Sequence, residues 1–186
     1  MRIDVHAHLW SEPYLDLLKE SGNTATDVHR GLGAGATGQE LEARFALMDS
    51  AGIDLQVLSA TPASPHFADL VAAVRAARVV NDEYAEVVGR FPDRFRTFAS
   101  LPFPHPDAAL AELDRALGEL EMLGAAITTS VLGRSVADPA YEPVFAELDR
   151  PCARPSRRSG RAAQRRTGLG KVGPVKRKNL ALMCPS

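Results

Sequence analysis

Cysteine is nearly missing from this 186-residue chain, with only Cys152 and Cys184 present. Two thiols cannot make a disulfide framework, so the expected location is cytoplasmic. No apolar run approaches the ~20 residues that span a bilayer, and no membrane association is expected. The opening Met1-Arg2-Ile3-Asp4-Val5-His6 has an acid and an imidazole where a secretory signal needs apolar residues. No Gly-x-Gly-x-x-Gly follows the first apolar segment, which argues against a dinucleotide-binding sheet. The length falls short of the ~250 residues typical of a complete eight-unit (β/α) barrel.

Two further absences divide the chain. No acidic residue follows Asp149 and no histidine follows His105. Residues 1–150 hold 12 Lys+Arg against all 23 Asp+Glu, a net of −11; residues 151–186 hold the other 10 Lys+Arg, a net of +10. The chain therefore reads as a folded region over 1–150 and a basic, low-complexity tail over 151–186. Rich in Arg, Gly, Pro and Ser and without an aromatic, the tail cannot bury enough apolar surface to fold alone and is expected to be disordered. Its charge would allow salt-sensitive binding to nucleic acid or an acidic surface. With no aromatic to stack bases and no recognisable motif, specific nucleic-acid binding is not expected.

What is present over 1–150 is alternation of strand and helix. Arg2–His8 reads as a strand, followed by a short helix capped by Ser11 and running through Glu20. Gly31 to Gly38 is a loop. Thr37-Gly38-Gln39-Glu40 fits a capping box, opening a helix that buries Leu41, Phe45 and Met48. Asp54–Ser59 is the second strand. A long helix opens at Ser64-Pro65, with a stripe of Phe67, Leu70, Val71, Val74, Ala77, Val80, Tyr84, Val87 and Val88. Phe95–Leu101 is the third strand, and Pro106 opens a helix with Leu110, Leu113, Leu117 and Leu120 at spacings of three and four. Ala125–Val131 is the fourth strand, and Asp138-Pro139 starts a helix through Leu148. There is no hairpin signal between strands, so the strands are expected to pair in parallel through right-handed crossovers. A doubly wound sheet and part of a (β/α)₈ barrel both fit this α/β pattern.

The chemistry concentrates in the first strand. Alternation puts His6 and His8 on one face, with Asp4 beside them and Ile3, Val5, Ala7 and Leu9 on the other. Neutral imidazole ligates zinc and similar divalent ions. Paired histidines at the C-terminal end of a parallel strand stand where α/β folds place active sites. The plainer alternative is two hydrogen-bonded histidines near a strand end.

Asp4-Val5-His6-Ala7-His8 resembles the first-strand motif of the amidohydrolase superfamily. Asn81-Asp82-Glu83, Phe91-Pro92-Asp93-Arg94-Phe95, Ala99-Ser100-Leu101-Pro102, Glu112-Leu113-Asp114-Arg115 and Leu123-Gly124-Ala125-Ala126 are similar to its branch related to aminocarboxymuconate-semialdehyde decarboxylase. The resemblance covers roughly residues 1–150. It implies the first four βα units of a (β/α)₈ TIM-type barrel, with a divalent metal, zinc by expectation, at the C-terminal mouth. It implies His6 and His8 as metal ligands and a small unsaturated or aromatic carboxylic acid as substrate. The activity implied is non-oxidative decarboxylation; metal-dependent hydrolysis of a lactone or amide is the alternative, and a basic-tailed binding protein a third.

The family's ligand histidine on the fifth strand, catalytic histidine on the sixth and aspartate on the eighth have no counterpart here. After Leu148-Asp149-Arg150 the chain runs Pro151-Cys152-Ala153-Arg154-Pro155 instead of an apolar fifth strand. The expectation is an amino-terminal half, inactive as given, whose tail is a wrong-frame translation. Self-association is expected through the open edges of the first and fourth strands.

Other residues carry weaker expectations. Arg30 offers a fork for a substrate carboxylate or is simply solvated. Asn81 and Asp82 read as a polar helix face with a structural hydrogen bond. His105 reads as a loop residue before a helix, and His29 and His66 have no spacing partner. Trp10 and Phe103 line a pocket or cover the strand ends.

Overall fold

The structure, a computed structural model, describes residues 1–150 and the backbone of 182–184. Strand β1 (Ile3–His8) pairs in parallel with β2 (Leu55–Ser59), and β2 with β3 (Phe95–Thr97). A parallel bridge between Ala99 and Ala125 carries the order on to β4 (Ala126–Thr128). Helix α1 (Glu12–Glu20), a 3₁₀ segment (Thr24–His29) and α2 (Gly38–Ser50) connect β1 to β2. Helices α3 (Leu70–Arg90), α4 (Pro106–Gly118) and α5 (Glu142–Asp149) follow β2, β3 and β4. Each crossover is long enough to return the chain to the same end of the sheet, as parallel pairing demands. Among the described residues no helix is long and apolar enough to cross a membrane.

The local signals act largely as expected. Ser11 Oγ accepts from Tyr14 N at 3.0 Å and starts α1. In the capping box, Glu40 N donates to Thr37 Oγ1 at 3.3 Å and Thr37 N to Glu40 Oε2 at 3.2 Å. Helix α3 begins later than expected, at Leu70, because Asp69 caps Ala72 N at 2.8 Å while residues 62–66 form turns. Leu70 and Val71 are consequently exposed, and the buried face is Ala73, Ala76, Ala77, Val80, Asn81, Tyr84 and Val87.

The fourth strand is also shorter than expected. Ser130–Val131 (β5) turns back antiparallel on Arg134–Ser135 (β6) through Leu132 at φ 48° and Gly133 at φ 79°. Two successive left-handed residues make a hairpin whose twist suits its strands, although Leu-Gly lacks the usual Asn or Asp.

The edge of β4 is not open as expected. Leu182–Cys184 (β7) pairs with it in parallel, Ala126 opposite Leu182 and Thr128 opposite Cys184. Leu180-Ala181-Leu182-Met183-Cys184 is the longest apolar run of the basic segment, and its Leu182–Cys184 portion forms this short ladder, a departure from the disorder that composition implies. The remaining expectations for the tail, disorder and wrong-frame origin, lie outside the described residues.

The two faces of the sheet are covered differently. Ala7, Leu9, Leu58, Phe95, Ala99 and Ile127 pack against residues of all five helices in the main core. Among the described residues the opposite face gathers Val57, Phe98 and Ala126, with Leu55 and Leu123, and no described helix joins it. A doubly wound sheet would carry helices on both faces. One-sided covering is the arrangement of a sheet that curves toward a shared interior.

Candidate metal centre at the end of the first strand

The pairing of β1 with β2 is irregular where the histidines stand. Ile3 faces Leu55 and Asp4 faces Gln56, then Ala7 faces Leu58 and His8 faces Ser59. Three steps along β1 match two along β2, so one extra residue is taken up between Asp4 and Ala7 as a β-bulge. Residue parity changes across it. Asp4, opposite Gln56, lies on the helix-facing side with Ala7 and Leu58; His8, opposite Ser59, lies on the other. The expectation that Asp4 shares a face with His8 therefore fails, because simple alternation assumes an unbroken pleat.

His6 and His8 do come together. Their ring centroids are 4.9 Å apart at an interplanar angle of 79°. His8 is partly buried and His6 exposed. The His8 Nδ1 lies 3.2 Å from the Ser59 carbonyl oxygen. A carbonyl only accepts, so this contact assigns the proton to Nδ1 and leaves the lone pair on Nε2. Burial holds the His8 imidazole below its usual range, while the Ser59 contact works the other way. The Trp10 ring stacks on His8 at 5.2 Å and on His29 at 4.5 Å, and its indole N–H donates to Ala60 O at 2.7 Å. Trp10 thus covers the strand end beside His8 rather than lining an open pocket.

This arrangement fits a divalent ion in its donor chemistry. A backbone carbonyl fixing one ring nitrogen is the usual support of a metal-ligating histidine. Among the described residues no group of three or more His, Cys, Asp or Glu is gathered to complete a coordination shell.

Three residues that sequence reasoning passed over support the pair. Ser59 fixes the His8 ring. Arg44 Nη2 donates to His8 O at 2.7 Å and Nη1 to Gln56 Oε1 at 3.1 Å. Gln56 Nε2 donates to Asp4 Oδ2 at 3.0 Å, and His6 N to Asp4 Oδ1 at 3.0 Å. The available signal was Arg44 itself, a charge set in the stripe of Leu41, Phe45 and Met48.

The other candidates lie elsewhere. Arg30 pairs with Glu12, with Asp16 at 2.6 Å and with Asp27 at 3.1 Å, tying the 3₁₀ segment to α1. These three carboxylates account for its charge without a substrate. Asn81 makes the structural hydrogen bonds expected of it, but in full burial rather than on a polar face. Asp82 accepts from Arg115 at 2.6 Å. His105 precedes α4, and its Nε2 lies 3.0 Å from Phe67 O. Phe103 is buried between His66 and Tyr141, with ring centroids at 6.0 and 4.9 Å, and covers the strand ends.

Known proteins place this geometry. Over 119 residues the chain is 38% identical to a gamma-resorcylate decarboxylase of Rhodococcus jostii, covering 59% of this chain and 36% of the relative. It is 28% identical over 166 residues to a 2-amino-3-carboxymuconate-6-semialdehyde decarboxylase of Dictyostelium discoideum, covering 81% and 46%. A dihydroxybenzoic acid decarboxylase of Polaromonas, solved with manganese and the inhibitor 2-nitroresorcinol, superposes with a TM-score of 0.65 at 29% identity, covering 80% of this chain and 46% of that one. The chain spans less than half the length of each of these relatives. The family model described as amidohydrolase matches residues 3–152, most of the chain, and by that match this protein belongs to the amidohydrolase family.

Proposed function

We propose that residues 1–150 form the first four βα units of a (β/α)₈ barrel and supply the first-strand part of a divalent-metal site. The reaction we propose for that site is non-oxidative decarboxylation of a small aromatic or unsaturated carboxylic acid. The observation that carries this reading is the His6–His8 pair, side by side at the C-terminal end of a parallel strand with the His8 proton held on Nδ1. The relatives named decarboxylases supply the substrate class. His6 and His8 would hold the ion, which supplies Lewis-acid polarisation of a substrate oxygen. Ser59 keeps His8 in one tautomer, and Trp10 excludes water from one side of its ring. Zinc follows from imidazole chemistry alone, whereas the Polaromonas relative carries manganese, so Mn²⁺ is the first probe.

Titration of the purified chain with Mn²⁺, followed by the loss of its free-ion paramagnetic resonance signal, tests the site. Binding that His6→Ala and His8→Ala both weaken supports it; binding indifferent to both refutes it. Carbon dioxide release from 2,6-dihydroxybenzoate by a chimera joining residues 1–150 to the remaining length of a gamma-resorcylate decarboxylase tests the reaction, and loss of that release on His8→Ala supports it. Two histidines are one short of the three protein ligands usual in catalytic zinc sites, so the 186-residue chain assayed alone is expected to show no turnover. We further place the protein in the cytoplasm and expect self-association through β1, where Ile3 and Val5 are exposed. Sedimentation showing a monomer at every concentration would remove the last point.

A further inference from the structure

We propose that Arg44 is the positioning residue of this centre, holding the bulge of β1 from behind so that His6 and His8 meet. The proposal rests on the metal-site reading above. A bulge interrupts the ladder, and the freed backbone groups need other partners. On β1 two of these contacts come from one connected set of side chains. The His6 N–H donates to Asp4, Asp4 accepts from Gln56, Gln56 accepts from Arg44, and Arg44 returns to the His8 carbonyl. The set grips the backbone at the residues that carry the two imidazoles.

Arg44 is an unusual choice for that place on α2. It occupies the apolar stripe between the buried Leu41 and Met48. It makes no salt bridge among the described residues, and its Nε is buried without a hydrogen-bond partner. A part-buried guanidinium without an ion pair costs stability that an apolar side chain of similar size would not. Its planar fork, however, spans two acceptors at once, His8 O and Gln56 Oε1, which a methionine cannot do and a lysine does poorly. The arrangement favours geometry at β1 over stability at α2.

The test compares Arg44→Met, Arg44→Lys and Gln56→Leu with the unmodified chain and with His8→Ala. Mn²⁺ affinity is one readout. Two-dimensional ¹⁵N–¹H spectra of the metal-free imidazoles are the other, since they report which His8 nitrogen carries the proton. Arg44→Met is expected to lose 10- to 100-fold in Mn²⁺ affinity, the usual range for outer-shell partners. Its melting temperature should be unchanged or raised, and His8 should become a mixture of tautomers. Arg44→Lys should recover part of both effects. Gln56→Leu, which cuts the link between Arg44 and Asp4, should weaken binding in the same direction and carries the test if Arg44→Met does not fold. An unmodified His8 spectrum in both Arg44→Met and Gln56→Leu overturns the proposal. So does affinity within twofold of the parent in both, where His8→Ala itself weakens binding. Absence of Mn²⁺ binding in the parent chain overturns the metal reading instead, and the tautomer spectra still decide the role of Arg44.

Discussion

Two polar networks in this protein are built to opposite plans. Between α3, α4 and the end of β3, Asn81 donates to Ser100 O at 3.0 Å and to Glu112 Oε1 at 2.7 Å, and accepts from Ser100 N at 2.8 Å. Glu112, also buried, is held by Arg115 through both carboxylate oxygens, at 2.7 and 3.0 Å. Every donor meets an acceptor and the charge is matched. Behind β1, the network of Arg44, Gln56, Asp4 and the two histidine backbones leaves Arg44 Nε without a partner and the guanidinium without an ion pair among the described residues. A network whose members satisfy one another holds helices together. One with groups left over is organised around something else, here the aim of two imidazoles.

The largest effect should come from the satisfied network. Asn81→Leu strands Ser100 N–H and Ser100 C=O in the interior and removes one of the two donors to Glu112 Oε1. At ~1–3 kcal/mol for each buried group left unpaired, partly relieved by relaxation, we expect a loss of about 3 kcal/mol in urea unfolding. A loss below about 1 kcal/mol would break the contrast. His8→Ala should do the reverse, lowering Mn²⁺ affinity roughly 100-fold, about 2.7 kcal/mol, while changing stability by less than about 1 kcal/mol. Calorimetric titration beside a thermal melt separates the two.

A smaller effect belongs to the exposed, closed arrangement at the start of α2. Thr37→Ala removes the cap of Glu40 N and should cost about 1 kcal/mol, read as a shift in urea midpoint. An effect confined to acid pH concerns His66. It lies against Phe103, and burial alone holds its imidazole down at about 4. Because the folded value is below the unfolded 6.5, its contribution is full above pH 6.5 and is lost as pH falls toward about 4. Stability curves of the parent and of His66→Phe should diverge across that window and run parallel outside it. Parallel curves throughout would show that His66 takes up its proton without penalty.

The order of strands and helices was readable because apolar periodicity and caps are local. Ser11, Thr37 and Glu40 act within four residues of where they stand. The start of α3 is ambiguous in the sequence because Ser64-Pro65 and Asp69 both look like caps, and the turns of residues 62–66 decide between them. The expected stripe includes Leu70 and Val71 because apolar bulk is the signal a sequence offers, whereas the buried face is built on small residues. Ala73, Ala76 and Ala77 let elements approach closely and make room for Asn81 beside Glu112. At the site, the two histidines were evident from their spacing and their place on the strand. Simple alternation misplaces Asp4 because side-chain parity depends on the partner strand, and a bulge is written in the pairing rather than in either sequence. Ser59, Gln56 and Arg44 act from 51, 48 and 36 positions beyond His8, distances at which no periodicity connects them.

That extra residue between Asp4 and Ala7 sets terms for anyone transplanting the site. Grafting Asp-x-His-x-His onto a regular strand of another scaffold would bring the carboxylate around to the imidazole side and leave the His6 amide to the ladder. The portable unit is larger: the one-residue offset in β1, a carboxamide opposite its Asp, a carbonyl at the end of the next strand, and a guanidinium reaching in from the intervening helix. A host unable to accommodate all four would carry the motif without the geometry.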